Sequence, residues 1–106
     1  MGNSDLEPAR PTQARRLNVL PAAQRELADA FAWCLERFGP RAAEGLLERF
    51  EAIGSLLMRE PGVGTAVARG RLRLPLQRYP YTVEYLVTDD TVTVLALRHQ
   101  RRKPRP

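Results

Sequence analysis

The Gly39-Pro40 step constrains this chain more than any other pair of residues. Before it, Ala23, Leu27, Ala30, Phe31, Cys34 and Phe38 recur at three- and four-residue intervals. That is one apolar stripe of a helix over roughly 21–38, with Pro21 in the first turn, where its missing N–H costs nothing. After the step, Ala43, Leu46, Leu47, Phe50, Ile53 and Leu57 repeat the pattern over roughly 41–59, and Pro61 ends it. Glycine stops the first helix and proline starts the second, so almost no loop separates them. The helices must fold back on each other as an antiparallel hairpin.

The layer that covers this hairpin is legible on either side of it. Residues 16–20 can form a short first strand, and three more are expected at about 71–76, 80–88 and 91–98. In the first of these, Leu72, Leu74 and Leu76 share one face and Arg71 and Arg73 the other. Pro75 cannot donate to a ladder, which puts this strand at an edge or ends it early. In the next, Val83, Tyr85 and Val87 alternate with Thr82, Glu84 and Leu86, and Asp89-Asp90 makes a tight hairpin turn. The last, from Val92 to Leu97, is apolar on both faces after Thr93 and belongs in the sheet interior. The reading is an α+β fold, β-α-α-β-β-β, with the helical hairpin packed on one face of a small antiparallel sheet. Residues 15–104 make a single domain and residues 1–14, polar and proline-containing, a flexible N-terminal tail. Residues 61–70 read as a loop, with no dinucleotide fingerprint because Val67 fills the third glycine position.

Charge is divided unevenly along the chain. The net +5 comes entirely from residues 69–106, which hold nine basic side chains against Glu84, Asp89 and Asp90; residues 1–68 sum to −1. All basic residues but Lys103 are arginine, suited to forked contacts with carboxylate or phosphate. The expected partner is anionic, an acidic protein or a nucleic acid. Cys34 is the only cysteine and sits on the apolar helical stripe, a buried free thiol. No apolar run reaches the length of a membrane span or signal core, so a cytoplasmic protein without membrane contact is expected.

His99, the only histidine, sits where the last strand leaves the core, flanked by Arg98, Arg101 and Arg102. It alone titrates near neutrality and could move a proton. Tyr85 reads as core, and Tyr81, on the same parity but nearer the rim, as partly exposed. Arg71, Arg73 and Arg78 are placed opposite the leucines, as a solvated edge or a binding surface. Cutting RNA through its 2′-hydroxyl needs a base, an acid and cations around the phosphate. His99 and the arginines could supply some of that; Glu84, at a mid-strand position, does not obviously complete the set. With one histidine, one cysteine and no clustered acids, no metal or cofactor is expected.

Over about residues 16–104 the chain resembles the RelE/ParE toxin superfamily of bacterial type II toxin–antitoxin pairs. The resemblance lies in the first strand entering a helix at Pro21-Ala22-Ala23, in Leu46 to Ile53 running on to Pro61-Gly62, and in the strand Arg78-Tyr79-Pro80-Tyr81-Thr82-Val83-Glu84-Tyr85. Most specific is His99-x-x-Arg102-x-Pro104 directly after an apolar strand. The resemblance implies the fold read above, and an antitoxin whose acidic or amphipathic segment wraps the toxin. RelE-like members cut mRNA on the ribosome, whereas ParE-like members inhibit DNA gyrase without being nucleases. An arginine that RNase members carry before the hairpin is missing at Tyr81-Thr82-Val83, and the Tyr-Pro-Tyr strand tilts the resemblance toward ParE. It implies a growth-inhibiting toxin that contacts antitoxin or target through Arg71, Arg73, Arg78, Tyr81, Arg98, His99, Arg101 and Arg102. The alternative is a metal-independent mRNA endonuclease using His99 with Arg71, Arg73, Arg102 and Tyr81. A member that binds its partner but poisons nothing is a third possibility.

Overall fold

The computed structural model describes residues 15–100. The tail at 1–14 and Arg101, Arg102, Lys103 and Pro104 lie outside them. In chain order the elements are β1 (Arg16–Val19), α1 (Pro21–Phe38), α2 (Pro40–Arg59), β2 (Thr65–Ala66), β3 (Leu72–Pro75), β4 (Tyr81–Val87) and β5 (Thr91–His99). Short 3-10 turns at Pro61–Val63 and Ala68–Gly70 flank β2. The strands form one sheet in the order β1-β5-β4-β3-β2.

Gly39 alone joins the helices. It sits at φ 96°, where a Cβ is strained, and its N–H closes α1 on the Leu35 carbonyl at 3.0 Å. Its own carbonyl accepts the Ala43 N–H at 3.2 Å, opening α2. The hairpin buries Ala23, Ala30 and Cys34 from α1 and Ala43, Leu46, Ile53 and Leu57 from α2. Against them the sheet packs Leu76, Val83, Tyr85, Val92, Val94 and Leu97. Burial pushes the Cys34 thiol above its ordinary range, as for any acid whose charged form is denied water. Gly54 lets α2 approach β1, since a Cβ there would stand 2.8 Å from Leu17 Cδ2.

Several expectations are corrected. The sheet is not wholly antiparallel: β1 runs parallel to β5, with Leu17 beside Val92 and Val19 beside Val94. The chain crosses from β1 to β5 by way of both helices and three strands, long enough to permit that direction. The 61–70 segment is not all loop, because Thr65 and Ala66 pair with Arg73 and Leu72. That small strand is the sheet edge, so β3 is flanked on both sides and ends at Pro75 instead. Phe38 does not complete the buried stripe. It is 66% exposed, as the last residue of α1.

The Asp89-Asp90 hairpin forms as read, closed by the Thr88 N–H on the Thr91 carbonyl at 2.9 Å. Arg15 Nε donates to the Thr88 and Asp89 carbonyls at 3.0 and 3.1 Å, tying this turn to the start of β1.

Candidate functional site

A single irregularity decides which way the functional side chains face. Between β4 and β5 the partners run Tyr81 to His99, Thr82 to Arg98, Val83 to Leu97 and Glu84 to Ala96, then jump to Tyr85 opposite Val94. Leu95 is the extra residue of a β-bulge. Before it, Val92 and Val94 face the helices; after it, the parity flips and Leu97 and His99 do so. Without the bulge, Arg98 would point into the core and His99 away from it. Alternation over Val94–Leu97 is hidden in the sequence by apolar residues at every position, so the flip has no signature there.

On the helix-covered side, His99 lies in an aromatic cluster. Its ring is 5.0 Å from that of Tyr81 and 5.3 Å from that of Trp33, both edge to face. Trp33 also meets Tyr81 at 6.1 Å and Phe38 at 5.7 Å, and the Arg37 guanidinium lies 5.2 Å over its indole. Such edge-on pairs and cation–π contacts fix ring orientation beyond simple burial. Tyr81, expected partly exposed, is buried, because α1 lays Trp33 across it.

Two adjoining clefts open on this cluster. One, about 220 Å³, runs between α1 and the end of the sheet past Glu26, Asp29, Trp33, Tyr81 and His99. The other, about 270 Å³, lies over Trp33, Arg37, Phe38, Pro80 and His99. Glu26 has a structural task as well. β1 ends opposite Val94, so among the described residues no strand lies beside the outer edge of β5 beyond that point. Glu26 Oε1 accepts the Leu97 N–H there at 2.8 Å.

On the opposite face Arg71, Arg73 and Arg98 converge on Glu84. Arg71 Nη1 lies 3.4 Å from Oε1, while Arg73 Nη2 and Arg98 Nε lie 3.6 and 3.2 Å from Oε2. Arg73 stands directly opposite Glu84 in the ladder. A third cleft, of about 310 Å³, opens beside this group, past Arg69, Arg71 and Arg73. Arg78, expected with Arg71 and Arg73, is elsewhere: it lies in the turn before β4 at φ 77°. It borders a separate cleft with Gly45 and Glu48, beside Tyr79, whose hydroxyl donates to the Ala42 carbonyl at 2.9 Å. A Cβ on Gly45 would collide with that hydroxyl.

The expected site residues therefore divide into groups. Tyr81 and His99 share one face, Arg71, Arg73 and Arg98 the other, and Arg78 neither. Arg101 and Arg102 lie outside the described residues. Sequence reasoning missed Trp33, Glu26 and Glu84. Glu84 had a signal: a lone carboxylate mid-strand beside a strand reading Arg-x-Arg is a cross-strand charge pair waiting for a register. Trp33 had none, being one position off the apolar stripe. Among the described residues no His, Cys, Asp and Glu group could hold a metal ion, and no helix is long and apolar enough to cross a membrane.

A hairpin of two helices on one face of a five-stranded, mostly antiparallel sheet is the fold of toxin–antitoxin proteins of known structure. A chain of the chromosomal ParDE toxin–antitoxin system of P. aeruginosa superposes with TM-score 0.72 at 18% identity, covering 81% of this chain and 96% of that one. A chain of the RelBE2 toxin–antitoxin complex of Mycobacterium tuberculosis gives 0.59 at 24% identity, covering 82% and 92%. At these identities the likeness is one of fold. Compared by sequence with curated proteins, the chain has no match. Residues 17–104 match the family described as the ParE toxin of the type II toxin–antitoxin system parDE. The chain belongs to the ParE toxin family.

Proposed function

We propose that this toxin arrests growth by binding a cellular target, DNA gyrase, and not by cutting RNA, and that an antitoxin segment holds it inactive. The observation that carries the reading is the division of the expected site by the sheet. Metal-independent RNA cleavage needs its proton-transfer groups and its cations around one phosphate. Here His99 and Tyr81 are on the helix side and Arg71 and Arg73 on the other, already facing Glu84. What the helix side offers is a contact surface, with aromatic anchors of the kind that dominate protein interfaces. The two neighbours of like fold come from toxin–antitoxin systems, which supports an antitoxin partner here. An amphipathic antitoxin segment would seat an apolar side chain in the cleft over Trp33, Phe38 and Pro80, with Arg37 at hand for its acids.

Induction without antitoxin tests this. Growth arrest with DNA-damage signalling, and loss of supercoiling by purified gyrase on adding the toxin, are expected. Cleavage of ribosome-bound mRNA that His99→Ala abolishes would overturn it in favour of the endonuclease.

A further inference from the structure

The open face of the sheet has a feature that target binding leaves unused, a carboxylate at the centre of its arginines. Glu84 is 5% exposed and is the only buried charged side chain among the described residues. The Arg71, Arg73 and Arg98 side chains around it remain 39%, 51% and 48% exposed. A ring of solvent-facing guanidinium groups thus surrounds a covered anion. Guanidinium is the side chain best matched to phosphate, offering paired N–H donors to paired oxygens. With Arg73 on β3, Arg71 just before it and Arg98 on β5, on the face that no helix covers among the described residues, the three form by themselves a surface for any nucleic-acid backbone. Glu84 presents the same paired acceptor oxygens and a negative charge from within. Because it is tethered, it competes at a high effective concentration with any anion from solution.

We propose that Glu84 is a built-in counter-ion that occupies the place of a phosphate and bars this face from RNA and DNA backbones. The register supports it from both sides, since Arg73 is directly opposite Glu84 and the Leu95 bulge brings Arg98 round to the same face. Both carboxylate oxygens are engaged, so the guanidinium groups are already paired with an anion although their side chains stay partly exposed. The proposal rests on the toxin reading in one respect: a protein that works by contact with a protein gains by ignoring the abundant RNA around it.

Fluorescence anisotropy of a labelled oligouridine, titrated with the purified chain over a salt series, tests it. Glu84→Gln keeps the shape and removes the charge, and should bind about tenfold more tightly at low salt. Its log–log salt slope should steepen by about 0.7 for each phosphate newly contacted. Glu84→Asp keeps the charge but withdraws the carboxylate by one methylene, and should fall between wild type and Glu84→Gln. Adding Arg98→Ala to Glu84→Gln should reverse part of the gain. A folded Glu84→Gln protein with wild-type affinity and slope overturns the proposal. If circular dichroism shows Glu84→Gln to be unfolded, Glu84→Asp decides alone, and no gain from it is equally fatal. Wild-type toxin that fails to inhibit gyrase would sink the target assignment while leaving this comparison intact.

Discussion

The two faces of the sheet are built from the same strands and held by different physics. On the covered face, Tyr85 is fully buried and its hydroxyl both accepts the Gly64 N–H at 2.9 Å and donates to the Pro61 carbonyl at 2.8 Å. On the open face, Glu84, its chain neighbour, is paired with three arginine side chains that are themselves near half exposed. Burial and dispersion dominate the first, with the Tyr85 hydroxyl paired on both sides. Charge pairing dominates the second, weakened by solvent at its rim. Shape on one side and charge on the other can therefore change independently, although adjacent residues carry them.

The largest effect should come from the covered face. Tyr85→Ala leaves a cavity under both helices and is expected to cost about 4 kcal/mol in a denaturant melt. A loss no larger than that of Glu84→Gln would break the contrast. Tyr85→Phe keeps the packing and orphans the Gly64 N–H and Pro61 carbonyl, costing about 1–2 kcal/mol. It also carries a pH signature. Burial raises the Tyr85 hydroxyl above its ordinary value near 10, against a smaller opposing effect of the Gly64 hydrogen bond. The unfolded chain therefore loses this proton first. Stability is fully held below about pH 10 and declines as pH climbs from there through the raised folded value. Thermal melts across that window should show a shallower decline in Tyr85→Phe.

Glu84→Gln should cost less, about 1 kcal/mol once the exposure of its partners is allowed for. The difference from wild type should shrink in molar salt; a difference that salt leaves untouched would place Glu84 among the packed residues instead. Smallest for stability is Phe38→Ser, expected within about 0.5 kcal/mol because the ring is largely exposed. If Phe38 is an antitoxin anchor, the same change weakens toxin–antitoxin binding tenfold or more by calorimetry.

The fold was largely legible in the sequence because its determinants are local. Helix periodicity, the Gly39-Pro40 break, leucines alternating with arginines in β3 and the Asp89-Asp90 turn each act within a few residues. What was not legible depends on register between distant strands. The Leu95 bulge lies in a run apolar at every position, so nothing local says where the parity flips, and that flip alone decides the side of His99. The parallel pairing of β1 joins residues far apart in the chain. Tyr81 was read as rim because Trp33, the side chain that covers it, comes from another element. Arg71 and Arg73 do lie opposite the leucines, without Arg78, but the carboxylate they share emerged only when β3, β4 and β5 were set side by side.

The position of β5 has a consequence for how the toxin comes into being. It lies between β1 and β4, so a nascent chain that has reached Val87 holds a β1 with no strand to join and a β4 paired only with β3. The sheet cannot close until residues 91–99 have emerged, and it then joins segments from both ends of the domain at once. Contacts of such long sequence separation form late and slowly. Synthesis itself thus imposes a delay before the aromatic cluster around His99 exists, an interval in which the growing chain has no assembled sheet.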